Sequence, residues 1–147
     1  MKNNAQAMLE YLALVSFAIL LLSVILYSLM SYMIESTTQM NIDSAYKTVD
    51  IIKDKSDFVY VHGYPSKTEA RITIPGNIER IDMSGNIIRM RLSIASHFGE
   101  SYTDIYGVTR GNLTSNLHAI CNPDCRPGDY ILVIEHIKNN RIRISVK

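Results

Sequence analysis

The stretch YLALVSFAILLLSVILYSLMSYMI, Tyr11 to Ile34, decides the class of this chain, because it runs for 24 residues without a charge. A helix rises about 1.5 Å per residue and the hydrocarbon core takes about 20 apolar residues to cross, so this run is long enough to span a bilayer. It exceeds the roughly 7 to 15 apolar residues of a secretory signal, and no small-residue site of the Ala-x-Ala kind follows it. The run is therefore expected to remain in the chain. Lys2 precedes it, Glu35 and Asp43 follow it, and the next cation is Lys47. That asymmetry predicts a short N-terminal end inside and the long remainder outside. Its polar groups are Ser16, Ser23, Ser28, Ser31, Tyr27 and Tyr32, and such hydroxyls can bond back to the preceding helical turn.

One residue at the edge of the run does not suit a plain anchor. Glu10 stands in Gln6-Ala7-Met8-Leu9-Glu10-Tyr11-Leu12-Ala13-Leu14, where a helix carries it towards hydrocarbon, and a buried carboxylate there costs several kcal/mol unless paired or close to the interface. Glu10 either marks the membrane edge and reaches water, or it meets a cation that the run itself does not supply. A short Lys-bearing leader, then Gln6-Ala7-Met8-Leu9-Glu10-Tyr11, then an unbroken apolar helix resembles the class III signal peptide of archaeal type IV pilin-like proteins. The resemblance is carried by roughly the first 35 residues. It implies that residues 1–5 are a leader removed by a prepilin peptidase between Ala5 and Gln6, with the apolar segment left in the mature subunit. It further implies that Gln6, Glu10 and Tyr11 serve assembly, the new amino group at Gln6 of the same or a neighbouring subunit pairing with Glu10 and setting axial register.

Beyond the apolar segment 6–34, helical periodicity continues. Ile42, Ala45, Val49 and Ile52 recur at helical spacing, with Gln39, Asp43, Lys47, Asp50 and Asp54 around the rest of the wheel. This predicts an amphipathic helix over 35–56 with one buried stripe, for packing against a head domain or for a coiled-coil partner. No Gly or Pro occurs before Gly63, so both segments can form one helix from about Gln6 to about Ser56, on the order of 75 Å long.

The remainder, 57–147, reads as a β-rich head. Arg71 to Ile74, Ile78 to Met83 and Ile87 to Ile94 are separated by Pro75-Gly76-Asn77 and Ser84-Gly85-Asn86, the spacing of a meander. Tyr130 to Ile137, the Lys138-Asn139-Asn140 turn and Arg141 to Lys147 read as a hairpin whose second arm turns Ile142, Ile144 and Val146 inward and Arg141, Arg143, Ser145 and Lys147 outward. Arg89 and Arg91 repeat that outward pattern, as solubility and edge protection or as a binding patch. Asp54, Asp57, Glu79 and Asp82 read as solvated charges.

Ser96 to Gly128 is polar and rich in turn formers, and reads as a long irregular surface stretch suited to contact. It holds the sequon Asn112-Leu113-Thr114, so Asn112 is a possible N-glycosylation site in an external head. It also holds Cys121-Asn122-Pro123-Asp124-Cys125. Outside the cell these cysteines are expected to form a disulfide; the competing reading joins His118, Cys121, Asp124 and Cys125 around a metal, although only half of a structural zinc pattern is present.

A net charge of +1 lacks the clustered cations that phosphate backbones require, which argues against nucleic acid. His62, His97, His118 and His136 are scattered, and neither a nucleophile elbow nor a glycine-rich phosphate loop occurs. The reading is a non-enzyme without cofactor, of α+β class, with a long N-terminal helix packed on an antiparallel β-rich head. The resemblance implies a subunit of an archaeal type IV pilus-like filament for adhesion or cell contact. Its partners would be its own copies in a helical homopolymer, the prepilin peptidase, an assembly ATPase and a membrane platform, with the membrane holding the precursor. The alternative is a non-polymerising single-pass anchored extracellular protein, or a minor pilin or assembly factor.

Overall fold

The computed structural model describes residues 2–96, 99–117, 120–121, 125–137 and 141–147, with side chains from Met8 onward except at 95, 96 and 100. Among the described residues one α-helix, α1 (Lys2–His62), is followed by seven strands: β1 (Lys67–Ile74), β2 (Ile78–Ser84), β3 (Ile87–Ser96), β4 (Gly99–Val108), β5 (Asn112–Ser115), β6 (Gly128–Ile137) and β7 (Arg141–Val146). The fold is α+β, as the sequence predicts. The chain divides into two compact units, Met1–Thr37 and Thr38–Lys147.

The described residues of the first unit, 2–37, are all helical. Nothing in its sequence interrupts the backbone ladder, since it holds neither Gly nor Pro. Ser16 Oγ donates to the Leu12 carbonyl at 2.7 Å, Ser23 Oγ to Ile19 at 2.9 Å and Thr37 Oγ1 to Met33 at 2.8 Å. The back-bonding expected of hydroxyls in an apolar helix is thus present at these positions.

In the second unit α1 buries Ala45, Val49, Ile52, Ser56 and Val59, alternating steps of four and three residues that keep one stripe facing inward. The predicted stripe therefore packs into the head and extends past Ser56. The helix ends at His62, because Gly63 takes a φ of 70° and its N–H reaches back to the Val59 carbonyl at 3.2 Å, a glycine C-cap.

Two sheets complete the unit, ordered β1-β6-β7-β5 and β2-β3-β4. In the first, β1/β6 and β6/β7 are antiparallel while β5/β7 is parallel. Ala70, Ile72, Ile74, Leu132, Ile134, Ile142 and Ile144 point from it into the core. The second sheet is antiparallel and contributes Ile81, Ile88, Met90, Leu92 and Ile105 to the same cluster as the helix stripe. The β2–β3 turn joins the sheets: the Gly85 carbonyl accepts from Leu113 N–H of β5 at 2.6 Å, while the Asn86 carbonyl, accepting from Thr109 N–H at 2.8 Å, continues the β3–β4 ladder.

The structure corrects two readings of the strands. β1 does not pair with β2; it lies beside β6, and the three-stranded meander is β2-β3-β4. The stretch from Ser96 to Gly128 is not mainly irregular, because β4 and β5 lie within it. In β4 the core-facing positions are Thr103, Ile105 and Gly107, so a single large aliphatic marks the buried face. The cause is close approach of the helix: a Cβ on Gly107 would fall 2.5 Å from Val49 Cγ1. The predicted hairpin of β6 and β7 is present, with Ile142 and Ile144 buried and Arg141 and Arg143 exposed. Its turn, Lys138-Asn139-Asn140, lies outside the described residues.

Candidate functional site

The feature that most needs a partner is the apolar segment of α1. Met8, Leu9, Leu12, Phe17, Leu20, Ile25, Leu29 and Met33 are all exposed, as is every other large apolar side chain from Met8 to Ile34. Its mean hydropathy reaches 2.6 over an 18-residue window, and the helix is long and apolar enough to cross a membrane. Contiguous apolar surface on this scale exceeds what a soluble monomer leaves in water and marks contact with lipid or with other apolar surfaces. The segment is thus compatible with a membrane anchor or signal.

Glu10 and Tyr11 lie at the start of this segment and are both exposed. Among the described residues no Lys, Arg or His lies between Glu10 and Lys47, so a cation for Glu10 has to come from elsewhere. Ala5 and Gln6 fall within α1 and are placed by backbone alone.

In the head, Asn112 and Thr114 are exposed on β5 with Leu113 buried between them, so both polar residues of the sequon face solvent. Cys121 and Cys125 form a disulfide. Cys125 is buried, and the neighbouring Leu117 and Ile120 are buried with it. Ile120 N–H bonds the Leu117 carbonyl at 2.9 Å, and Arg126 N–H the Ile120 carbonyl at 3.3 Å. Both sulfurs are consumed by the bridge, which removes the thiolates that the alternative metal reading needed; His118 and Asp124 lie outside the described residues.

The sequence did not reveal an ionic ladder across β2, β3 and β4. Arg91 makes a two-pronged contact with Asp104, at 2.8 and 3.0 Å, and Arg89 Nη2 lies 2.6 Å from Asp82, which also accepts from Arg80 Nε at 2.8 Å. Arg89 and Arg91 are therefore paired rather than isolated, and Asp82 is a bridge between two arginines rather than a solvated charge. The Arg89 hydrogen bond holds the Asp82 carboxyl below the usual carboxylate range, and the Arg91 fork does the same for Asp104. Cross-strand register was the missing information: Asp82 is opposite Arg89, and Arg91 opposite Asp104. Asp57 is likewise engaged, accepting from Arg110 N–H at 2.8 Å.

No known protein family, curated protein or solved structure matches this chain.

Proposed function

We propose that the chain is a structural subunit of an archaeal type IV pilus-like surface filament, made as a single-pass membrane precursor with its head outside. The observation carrying this reading is the fully exposed apolar helix surface from Met8 to Ile34, preceded by the motif from Gln6 to Tyr11. The precursor is cleaved between Ala5 and Gln6, and the apolar helix passes from lipid into a bundle of identical helices. A repeated, non-closing contact of this kind builds a filament, with each helix covering the apolar surface of its neighbours. Glu10 pairs with a neighbouring amino terminus at Gln6, a charge-assisted contact that sets the stagger between subunits. The heads form the outer layer and mediate adhesion or cell contact, with Asn112 available for glycosylation. The chain performs no catalysis in this role; its partners are its own copies, the peptidase, an assembly ATPase and a membrane platform.

The test is the intact mass and amino-terminal sequence of the protein recovered from its own cells, with and without reductant. A chain starting at Gln6 that gains two hydrogens on reduction supports processing and an oxidising location for Cys121 and Cys125. A chain retaining residues 1–5 overturns the filament reading in favour of a plain anchor. Replacing Glu10 by Leu separates the same alternatives: membrane insertion persists, while surface filaments seen by electron microscopy fall at least tenfold.

A further inference from the structure

Four strands end the two sheets, and three of them carry features that discourage pairing with another strand. β1 presents Lys67, Glu69 and Arg71 on its exposed positions, and Thr48 Oγ1 donates to its Thr73 carbonyl at 2.7 Å. β2 breaks register between Ile78 and Arg80. β5 has only four residues. Charges, bulges and shortness are the usual means by which sheet edges are blunted.

β4 is neither short nor bulged, and the charges it carries are two acids, Glu100 and Asp104. Its ten residues pair with β3 without a register break, it contains no Lys, Arg or Pro, and among the described residues no strand pairs with its other side. The Thr109 N–H bond to the Asn86 carbonyl fixes the alternation. Thr103, Ile105 and Gly107 thus direct their backbone groups at β3, while Asp104, Tyr106 and Val108 direct theirs to the open side. Asp104, the acid among these, is already neutralised by Arg91. Tyr106 is 59% exposed, Val108 56% and Ile87, directly opposite Val108, 43%. A long, regular edge without cations thus adjoins an exposed apolar and aromatic patch.

We infer that β4 is a self-association edge, which pairs antiparallel with β4 of a second copy about a two-fold axis at Ile105. The open side restricts the register, because even-numbered residues must meet even-numbered ones to exchange hydrogen bonds. Centring the axis on Asp104 would oppose two carboxylates. Moving it to Ile105 sets Asp104 of each copy opposite Tyr106 of the other. Tyr106 already donates its hydroxyl to Asp104 Oδ2 at 3.2 Å within its own strand, so donor and acceptor are matched on both sides of the axis. The same patch is self-complementary, as a two-fold contact requires. The inference does not depend on the filament reading. In a filament whose subunits all point one way, a two-fold contact would join neighbouring filaments rather than subunits within one.

The experiment uses the full chain in detergent micelles with Val108→Cys carrying a nitroxide; Cys121 and Cys125, being bridged, stay unlabelled. Position 108 lies three residues from the axis in each copy, so the two labels should stand about 20 Å apart along the strands, plus the reach of the label arms. Tyr106→Pro in the labelled chain removes an open-side N–H while leaving the ladder to β3, and Tyr106→Lys charges the edge. Both should abolish the inter-label distance with the thermal midpoint moving by no more than a few degrees. If Tyr106→Pro fails to fold, Tyr106→Lys carries the same test. An absent distance at about 0.2 mM, far above a micromolar Kd, overturns the inference. So does a distance that persists in a folded Tyr106 variant, the result expected if copies join through α1 instead.

Discussion

Gly107 is a point of close approach between α1 and the second sheet, and it is a glycine for reasons of space rather than conformation. An added methyl would sit 2.5 Å from Val49 Cγ1 with Ile88 also within 4 Å. Gly107→Ala is therefore expected to destabilise the head by about 1–3 kcal/mol in urea unfolding. Shortening the opposing side chain in a Gly107→Ala, Val49→Ala double variant should recover part of the loss that the two single changes predict when added. His136 is the opposite case, a polar residue in an apolar site. It is buried on β6, neither ring nitrogen has a hydrogen-bond partner among the described residues, and its ring centroid lies 6.4 Å from that of Tyr60. Removing an unsatisfied buried polar group in favour of an apolar one of similar shape is neutral or favourable. His136→Phe should thus leave stability unchanged or raise it by about 1 kcal/mol, by the same measurement, where a polar group holding up the core would lose several.

At the scale of elements, the ladder of Arg80, Asp82, Arg89, Arg91 and Asp104 is expected to make the second sheet acid-sensitive. Asp82 and Asp104 are held below the ordinary carboxylate range by their arginines. Groups with depressed native values stabilise the fold above the unfolded carboxylate value and lose that contribution as pH falls through the native one. The melting midpoint should therefore drop below about pH 4, and in an Asp82→Asn, Asp104→Asn variant that part of the drop should flatten; a profile unchanged by the substitutions would show that the ladder does not contribute. The elements were unequally legible. α1 was readable along almost its whole length because 3.6-residue periodicity and the lack of Gly or Pro are local signals. β6 and β7 were readable because Ile142 and Ile144 alternate with arginines. β4 was hidden, since Gly107 occupies a buried position where an alternation pattern needs a large side chain. The partner of β1 was hidden for another reason: Thr68 pairs with Ile134 across the length of the head, and no local pattern announces a contact so distant in sequence. The ionic ladder was invisible for the same cause, as it exists only once strand register is known. Glu10, by contrast, was conspicuous from the sequence, and it stands exposed at the start of the apolar segment.

For the whole molecule, the division of labour follows from where the core begins. The residues of the hydrophobic cluster run from Ile42 to Val146, and the segment before Thr38 forms a unit by itself. A chain comprising 38–147 should consequently be soluble without detergent and retain the cooperative thermal unfolding and β-rich circular dichroism of the full chain. Loss of cooperativity would show that the apolar helix is required for the head to fold. The helix itself has a quieter property in its hydroxyls. Ser16, Ser23 and Thr37 are each satisfied by a carbonyl one turn behind them, so these groups ask nothing of the medium around the helix. Exchanging acyl chains for the flanks of neighbouring helices would then break no hydrogen bond at these positions and require none to form. Such a rod can change its apolar surroundings without a polar toll at these three positions, a property that suits a component stored in one oily phase and used in another.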